Sequence, residues 1–160
     1  MDRSSLARGP WKALVGFLQA VAPLLVRLVI GYGFVQAGWG KWQNFDRTAA
    51  FFGDLGIPAP AANAAFIATL ELVGGACLAI GLGTRVAALL LSATMVVAIL
   101  TAERQAFLDA LSGRGEQSLT DVVPFAYLMF LMLLAAFGAG PLSVDRFAFS
   151  KAPAARASGP

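Results

Sequence analysis

The chain of 160 residues is 58% hydrophobic and 13% charged, with a formal charge of +3 and a mean hydropathy of +0.73. A soluble domain has about 45–50% apolar and about 25% charged residues, so this composition excludes an ordinary soluble domain and indicates a membrane protein. The basic residues lie mostly at the two ends of the chain. This is typical of a membrane protein with basic segments on the cytoplasmic side, and it argues against a nucleic-acid partner.

The first apolar run, residues 14–38, follows a basic N-terminal tail at residues 1–13. About 20 apolar residues suffice to cross a bilayer, so this run predicts the first span. A cleavable signal sequence is the less favoured alternative, because the apolar run continues well past Pro23. Arg27 lies near the middle of the run, where a charge costs roughly 3 kcal/mol on insertion scales. Another group must therefore compensate the guanidinium.

The second apolar run, residues 61–81, carries Glu71 near its midpoint. Consecutive spans are antiparallel, so both charges are expected at about half depth, and we predict an intramembrane pair of Arg27 and Glu71. Such a pair either binds a ligand headgroup or relays protons, or it only fixes how the helices pack. The sequence leaves both alternatives open.

The segment between these runs carries an interfacial signature, since Trp39 and Trp42 bracket Lys41. Lys41 is interpreted as an anchor or, alternatively, as a residue at the mouth of a cavity that recognises an acidic group. Gln36 lies about one turn deeper and is expected to face the same cavity, and Tyr32 is a further polar candidate. Residues 44–55 predict a short amphipathic helix on the membrane surface.

The rest of the chain predicts two more spans. The boundaries are a tight turn at 81–85, a span at 86–102, a loop with a second surface helix at 103–121, a span at 122–138 that begins after a capping Thr120 or Asp121, and a disordered tail at 147–160. The predicted fold is therefore all-α: a four-helix transmembrane bundle over residues 14–146, with short interfacial helices.

Lysine and arginine counts give the orientation. The two tails and the 81–85 turn carry seven, and the two long loops carry four. Because the side with more basic residues faces the cytoplasm, both termini are predicted to be cytoplasmic.

The chain offers no self-contained catalytic centre. It has no histidine and one cysteine, Cys77, which argues against a metal site and rules out an intrachain disulfide. It shows no nucleophile–base pattern, phosphate loop or dinucleotide fingerprint. Gly31, Gly74 and Gly75 are predicted as close-packing glycines of the bundle.

Several short motifs occur together in a specific order. They are Arg27-Leu-x-x-Gly31, Gly38-x-x-Lys41, Phe51-Phe52, Gly56-Ile57-Pro58, Glu71-Leu72-Val73-Gly74-Gly75, Leu82-Gly83-Thr84-Arg85, Asp121-x-x-Pro124-Phe125 and Gly138-x-Gly140-x-x-Ser143-x-Asp145. This arrangement, over roughly residues 24–146, resembles the DoxX family of small bacterial membrane proteins. The characteristic positions of that family correspond here to Arg27, Lys41, Glu71, Gly75, Arg85 and Pro124.

The resemblance implies a four-helix protein of the bacterial cytoplasmic (inner) membrane. It also implies a link to redox chemistry. The family is related to DoxD, a membrane subunit of thiosulfate:quinone oxidoreductase, and some members are associated with a membrane oxidoreductase complex that works with superoxide dismutase and a sulfurtransferase.

We therefore expect a membrane subunit or partner of a quinone-linked or thiol-linked redox system. A quinone is the expected ligand, with Arg27 and Glu71 polarising its carbonyl or relaying protons. One alternative is a non-enzymatic scaffold that anchors soluble redox enzymes, and another is a small transporter or lipid-binding protein. A homo-oligomer is compatible with each of them. A tightly packed bundle would favour the scaffold. A cavity open to lipid would favour a quinone or a lipid as ligand, and a route to one aqueous face would favour transport.

Overall fold

The computed structural model describes the backbone of residues 3–149 and the side chains of residues 11–146. All secondary structure in that range is helical, and the prediction of an all-α transmembrane bundle is confirmed. The helices are α1 (Arg3–Gln43), α2 (Phe45–Asp54), α3 (Pro60–Ile80), α4 (Thr84–Leu100), α5 (Arg104–Ser112), α6 (Val123–Phe137) and α7 (Val144–Phe149).

The four apolar helices α1, α3, α4 and α6 differ in whether each is long enough to cross a bilayer. In the described part of the chain, α1 and α3 are long and apolar enough to cross alone. The α4 helix has 17 residues and is followed by α5 after a bend of 80°, and α6 is a shorter apolar helix of 15 residues. The bend gives α5 a different direction from α4, and the placement of residues 103–121 on the membrane surface stays a prediction.

The first helix is much longer than the predicted span. It begins at Arg3 rather than at residue 14, ends at Gln43 rather than at residue 38, and is continuous through Pro23. The residues predicted as a basic tail are rich in helix formers such as Ala, Leu, Lys and Arg, and they continue the helix. Of the tail predicted at 147–160, residues 147–149 belong to α7 and 150–160 lie outside the described residues.

The bundle consists of two helix pairs, because α1 packs mainly on α3 and α4 packs mainly on α6. Glycines allow the first pair to approach closely. A Cβ on Gly38 would lie 2.5 Å from the Leu72 nitrogen and 2.6 Å from the Ala68 oxygen. The two pairs meet through a core of aliphatic side chains and one aromatic ring, formed by Ile30, Phe34, Leu78, Ala87, Ala88, Leu91, Leu131 and Leu134.

The turn between α3 and α4 closes with a glycine cap. Gly81 has a φ of 77°, and the amides of Gly81 and Leu82 donate to the carbonyls of Leu78 and Cys77. The Asp145 carboxylate then accepts hydrogen bonds from the amides of Gly83 and Thr84, at 2.7 and 3.1 Å. The first turn of α7 therefore caps the start of α4 through Asp145.

The predicted cap of the last span is wrong. Val122 precedes α6 without a side-chain cap, and the Asp121 carboxylate accepts hydrogen bonds from the Ser118 amide and hydroxyl instead. These hydrogen bonds hold the Asp121 carboxylate within the loop, so it does not cap the first turn of α6.

Candidate functional site

A cavity of about 650 Å³ lies between the two helix pairs, and five helices contribute to it. Its walls are mainly apolar. Among the lining residues are Phe34 and Ala37 of α1, Phe52 of α2, Phe66, Ile67 and Leu70 of α3, Leu90, Ala93 and Met95 of α4, and Pro124 of α6. This size and composition are typical of pockets for small lipophilic ligands, which are about 300–1,000 Å³ and carry a few placed polar groups.

The wall of the cavity is partly exposed. Five of its lining residues are about half exposed or more, namely Phe66 at 61% on α3, Leu90 at 48% and Val97 at 49% on α4, Phe51 at 49% on α2 and Val123 at 61% on α6. In a membrane these side chains meet lipid tails. The cavity therefore gives a ligand dissolved in the bilayer a lateral route to its interior.

The strongest polar feature of the wall is an ion pair between Lys41 and Glu71. Lys41 Nζ lies 2.5 Å from Glu71 Oε2, and the side chains are 27% and 5% exposed, respectively. Glu71 comes from the middle of α3 and Lys41 from the last turn of α1. The close approach at Gly38, one turn before Lys41, brings the two helices near enough for this pairing.

Both partners retain capacity for a further hydrogen bond. An ammonium has three donors and a carboxylate has two oxygens. Within the described side chains, the Lys41 ammonium donates only to Glu71, and Glu71 Oε1 accepts no hydrogen bond. The pair thus presents a donor and an acceptor at the wall of an apolar cavity.

Tyr127 is a lining residue that sequence reasoning missed. Its ring packs edge-on against Phe34, with ring centroids 5.3 Å apart. Its hydroxyl oxygen would lie only 2.2 Å from a Cβ on Gly33, so the glycine makes room for it. The hydroxyl makes no hydrogen bond to any described side chain or backbone group. The signal was available, because Tyr127 is the one residue of α6 with a polar side chain.

The predicted pair of Arg27 and Glu71 does not form. Gly31 lies against Gly75 and Ala79, and Gly38 lies against Ala68 and Leu72. This register places Arg27 opposite Gly81, about ten residues along α3 from Glu71, or ~15 Å at 1.5 Å per residue. The error arose from taking Arg27 as the midpoint of a span, whereas the bundle uses only the later part of α1.

Arg27 instead closes the other end of the bundle. The side chain is 1% exposed, and its Nη2 donates to the Leu142 carbonyl at 2.5 Å. Asp145, which caps α4, adds electrostatic attraction. Arg85 lies at the same end and donates to the Ala136 carbonyl at 3.4 Å. Arg27 thus holds the segment after α6 and Arg85 holds the last turn of α6, both away from the cavity.

Two further candidates lie outside the cavity. Gln36 and Tyr32 are both exposed, and Gln36 Nε2 donates to the Tyr32 hydroxyl at 2.9 Å. The expectation that Gln36 faces the cavity is wrong, because five residues separate it from Lys41 and this turns it about 140° around the helix. Both side chains point away from the bundle.

The three candidate glycines lie at helix contacts. Gly31 and Gly75 touch across the interface of α1 and α3, where a Cβ on either would lie 2.7 Å from the carbonyl oxygen of the other. A Cβ on Gly74 would lie 3.2 Å from Leu91 Cδ2 of α4. Among the described residues, no group of three His, Cys, Asp or Glu side chains could hold a metal ion.

Comparison with known proteins places these features in a family context. A family model described as DoxX matches residues 22–104, which is more than half of the chain. A protein of Bacillus subtilis (strain 168), named "Putative oxidoreductase CatD", is 34% identical over 131 residues that cover 81% of this chain and 88% of the relative. No solved structure matches the chain.

Proposed function

Because the chain belongs to the DoxX family of membrane proteins, we propose that it is the quinone-binding membrane subunit or partner of a redox system. The cavity beside Lys41 and Glu71 is the proposed site, in place of the site expected at Arg27. The single observation that carries the proposal is this ion pair on the wall of a large apolar cavity that opens toward lipid.

The cavity suits an amphipathic ring with an apolar tail. The aromatic and aliphatic walls match the ring and tail, and the lateral opening matches a ligand that diffuses in the bilayer. The Lys41 ammonium and the Tyr127 hydroxyl supply hydrogen-bond donors for carbonyl oxygens. Tyr127 also lines the cavity, so two donors on different helices fix the orientation of a ring between them.

A quinone reduced in this cavity takes up two electrons and two protons and leaves as the quinol. Lys41 and Tyr127 are the proposed groups that hold the carbonyl oxygens and deliver protons there, and Glu71 is the proposed acceptor that keeps Lys41 charged and in place. Since the sequence has no histidine and one cysteine, we assign the electrons to a redox enzyme that works with this chain.

The lateral opening supports one alternative, binding of a membrane lipid in the same cavity. A scaffold without a ligand is less well supported, because a cavity of about 650 Å³ is not needed to anchor other proteins. Residence in the bacterial inner membrane with both termini in the cytoplasm is part of the proposal and rests on the family and the basic-residue counts.

The test is native mass spectrometry of the protein extracted gently from its own membranes. The wild type is compared with Glu71→Gln, Tyr127→Phe and the control Gln36→Leu, which removes a polar group outside the cavity. We expect a co-purifying quinone, identified by its mass, that is reduced in the first two variants and retained in the control. A phospholipid in its place supports the lipid alternative, and an empty wild type contradicts both.

A further inference from the structure

One oxygen of the buried ion pair has no partner of its own. Lys41 Nζ bonds to Glu71 Oε2, and no described group donates to Glu71 Oε1. The Glu71 side chain is 5% exposed. Even so, Oε1 is not among the described side-chain atoms that are wholly buried without a partner, which are Arg27 Nε, Arg27 Nη1 and Thr84 Oγ1. Because Glu71 lines the cavity, Oε1 offers its accessible surface to whatever occupies that space.

Two threonine hydroxyls add acceptors to the same wall. Thr94 Oγ1 donates to the Leu91 carbonyl at 2.8 Å, and Thr101 Oγ1 donates to the Val97 carbonyl at 2.7 Å. Both threonines line the cavity. Since their protons are committed to the helix backbone, these hydroxyls have only lone pairs left for a ligand. The free acceptors of the cavity wall thus include a charged one, and a ligand without a hydrogen-bond donor satisfies none of them.

The ion pair places a donor and an acceptor side by side. The Lys41 ammonium keeps N–H groups that the contact with Glu71 does not use, and Oε1 belongs to the same carboxylate. A hydroxyl group both accepts and donates a hydrogen bond, so one hydroxyl can bridge Lys41 and Glu71. A carbonyl oxygen only accepts. It can engage Lys41, but it leaves Oε1 unpartnered in an apolar cavity, which is costly for an ionised group.

We propose that the cavity binds the quinol form of its ligand more tightly than the quinone form. One quinol hydroxyl donates to Glu71 Oε1, and its oxygen accepts from Lys41. The inference rests on the proposed function, because it concerns the same site and the same ligand. Hydrogen bonds to an ionised acceptor are roughly twice as strong as bonds between neutral groups. We therefore expect the quinol to be preferred by about tenfold.

This preference acts on the direction of the redox reaction. Reduction of the quinone takes two electrons from the redox enzyme that works with this chain, and two protons, which become the hydroxyl hydrogens of the quinol. Because the site stabilises that product, the reduction potential of the bound quinone rises. For a two-electron couple, each tenfold preference corresponds to about 30 mV. The site thereby favours electron transfer from the redox enzyme to the quinone.

Isothermal titration calorimetry of the full chain in detergent micelles tests the preference without any substitution. The ligands are decylubiquinone, its quinol kept under argon, and the dimethyl ether of that quinol, which has both oxygens but no hydroxyl. We expect the wild type to bind the quinol about tenfold more tightly than either of the other two. Equal affinities for quinone and quinol, or for quinol and ether, would overturn the inference alone. A wild type that binds none of the three would contradict the proposed function itself.

Two variants identify the group responsible for the preference. Glu71→Gln replaces the carboxylate by an amide, which offers N–H donors to a carbonyl, so most of the preference for the quinol should be lost. Tyr127→Phe removes a hydroxyl that can donate to a quinone and accept from a quinol, so it should weaken the binding of both forms alike. A Glu71→Gln protein with the wild-type preference, or loss of the preference in Tyr127→Phe, would overturn the role of Glu71.

Discussion

Lys41 and Glu71 form the ion pair of the cavity because the register of two helices brings them to the same depth, at 2.5 Å. The contribution of such a pair to the free energy of folding is the difference between two opposing terms: the cost of desolvating both charges and the gain from their mutual attraction. A substitution that removes one of the two charges and leaves the other unpaired is therefore expected to destabilise the protein most.

We expect Lys41→Met to destabilise the protein by less than the about 3–5 kcal/mol that removing one partner of a fully buried pair costs, because Glu71 is buried but Lys41 is 27% exposed. The double variant Lys41→Met/Glu71→Leu should be less destabilised than Lys41→Met, because it leaves no unpaired carboxylate in an apolar wall. Equilibrium unfolding in micelles measures both variants and the single variant Glu71→Leu. A double variant that is at least as unstable as the sum of the two single variants would contradict the assigned pairing.

Arg27 is expected to act on structure rather than on the ligand. Arg27→Gln removes the hydrogen bond to the Leu142 carbonyl and the attraction to Asp145, and a charged hydrogen bond contributes about 1.5–3 kcal/mol. Amide hydrogen exchange should rise over residues 138–146, while the amount of co-purified ligand per folded protein stays unchanged. Loss of ligand with unchanged exchange would return Arg27 to the binding site.

Asp121 is the residue through which pH acts on the second long loop. Hydrogen bonds from the Ser118 amide and hydroxyl hold the pKa of the Asp121 carboxyl below its ordinary value of 3.8. Since the pKa is lowered in the folded state, the turn is stabilised above the ordinary value and loses this contribution as the pH falls through the lowered one. NMR titration should show this lowered pKa, and Ser118→Ala should raise it part of the way back. An Asp121 that titrates at its ordinary value would refute the turn.

At the scale of the helices, contact between α1 and α3 decides the position of the ion pair. Glycines occupy the places where the two backbones touch, and any Cβ there must push the helices apart. The same helix also contains Gly40, around which no atom would meet a Cβ within 4 Å. This gives a matched pair of substitutions in one helix.

Gly38→Ala is expected to cost about 1–3 kcal/mol, as overpacking does, because the neighbouring atoms at 2.5 and 2.6 Å are backbone. Gly40→Ala should be neutral or stabilise by about 0.5–1 kcal/mol, since alanine is the better helix former. Thermal unfolding in detergent separates the two variants by several degrees. Similar melting temperatures would show that the helices are not in close contact at Gly38.

At the scale of the whole molecule, two helix pairs enclose the cavity at the end where α2 packs on α3, and Arg27, Arg85 and Asp145 close the opposite end. The two ends thus differ in chemistry as well as in shape. In the proposed arrangement with four crossing helices, both termini lie on one side of the membrane.

Accessibility of single cysteines to a membrane-impermeant thiol reagent tests the orientation. In a Cys77→Ala background, Gln117→Cys in the loop before α6 should be labelled from the outer side. Leu82→Cys in the α3–α4 turn should be labelled only after the membrane is opened. The reverse pattern would invert the orientation, and labelling of both positions from one side would refute a crossing by the helices between them.

The sequence by itself determined the class of protein and the location of most helices. Apolar runs of sufficient length must form helices in lipid, because only then are all backbone polar groups satisfied within the segment. Glycine and proline marked the turn at 81–85 and the loop after α2, and the predicted third and last spans agree with α4 and α6 within two residues. The family motifs also identified Lys41 and Glu71 as positions of interest.

Only the tertiary structure decided which of the charges meet. Runs that are apolar on every face carry no signal for helix rotation, so Arg27 and Glu71 could be placed at similar depth but not in register. The glycine contacts of α1 with α3 set that register, moved Arg27 to the polar end and paired Glu71 with Lys41. The cavity and the role of Tyr127 follow from how the two helix pairs meet, which depends on packing between residues far apart in the chain.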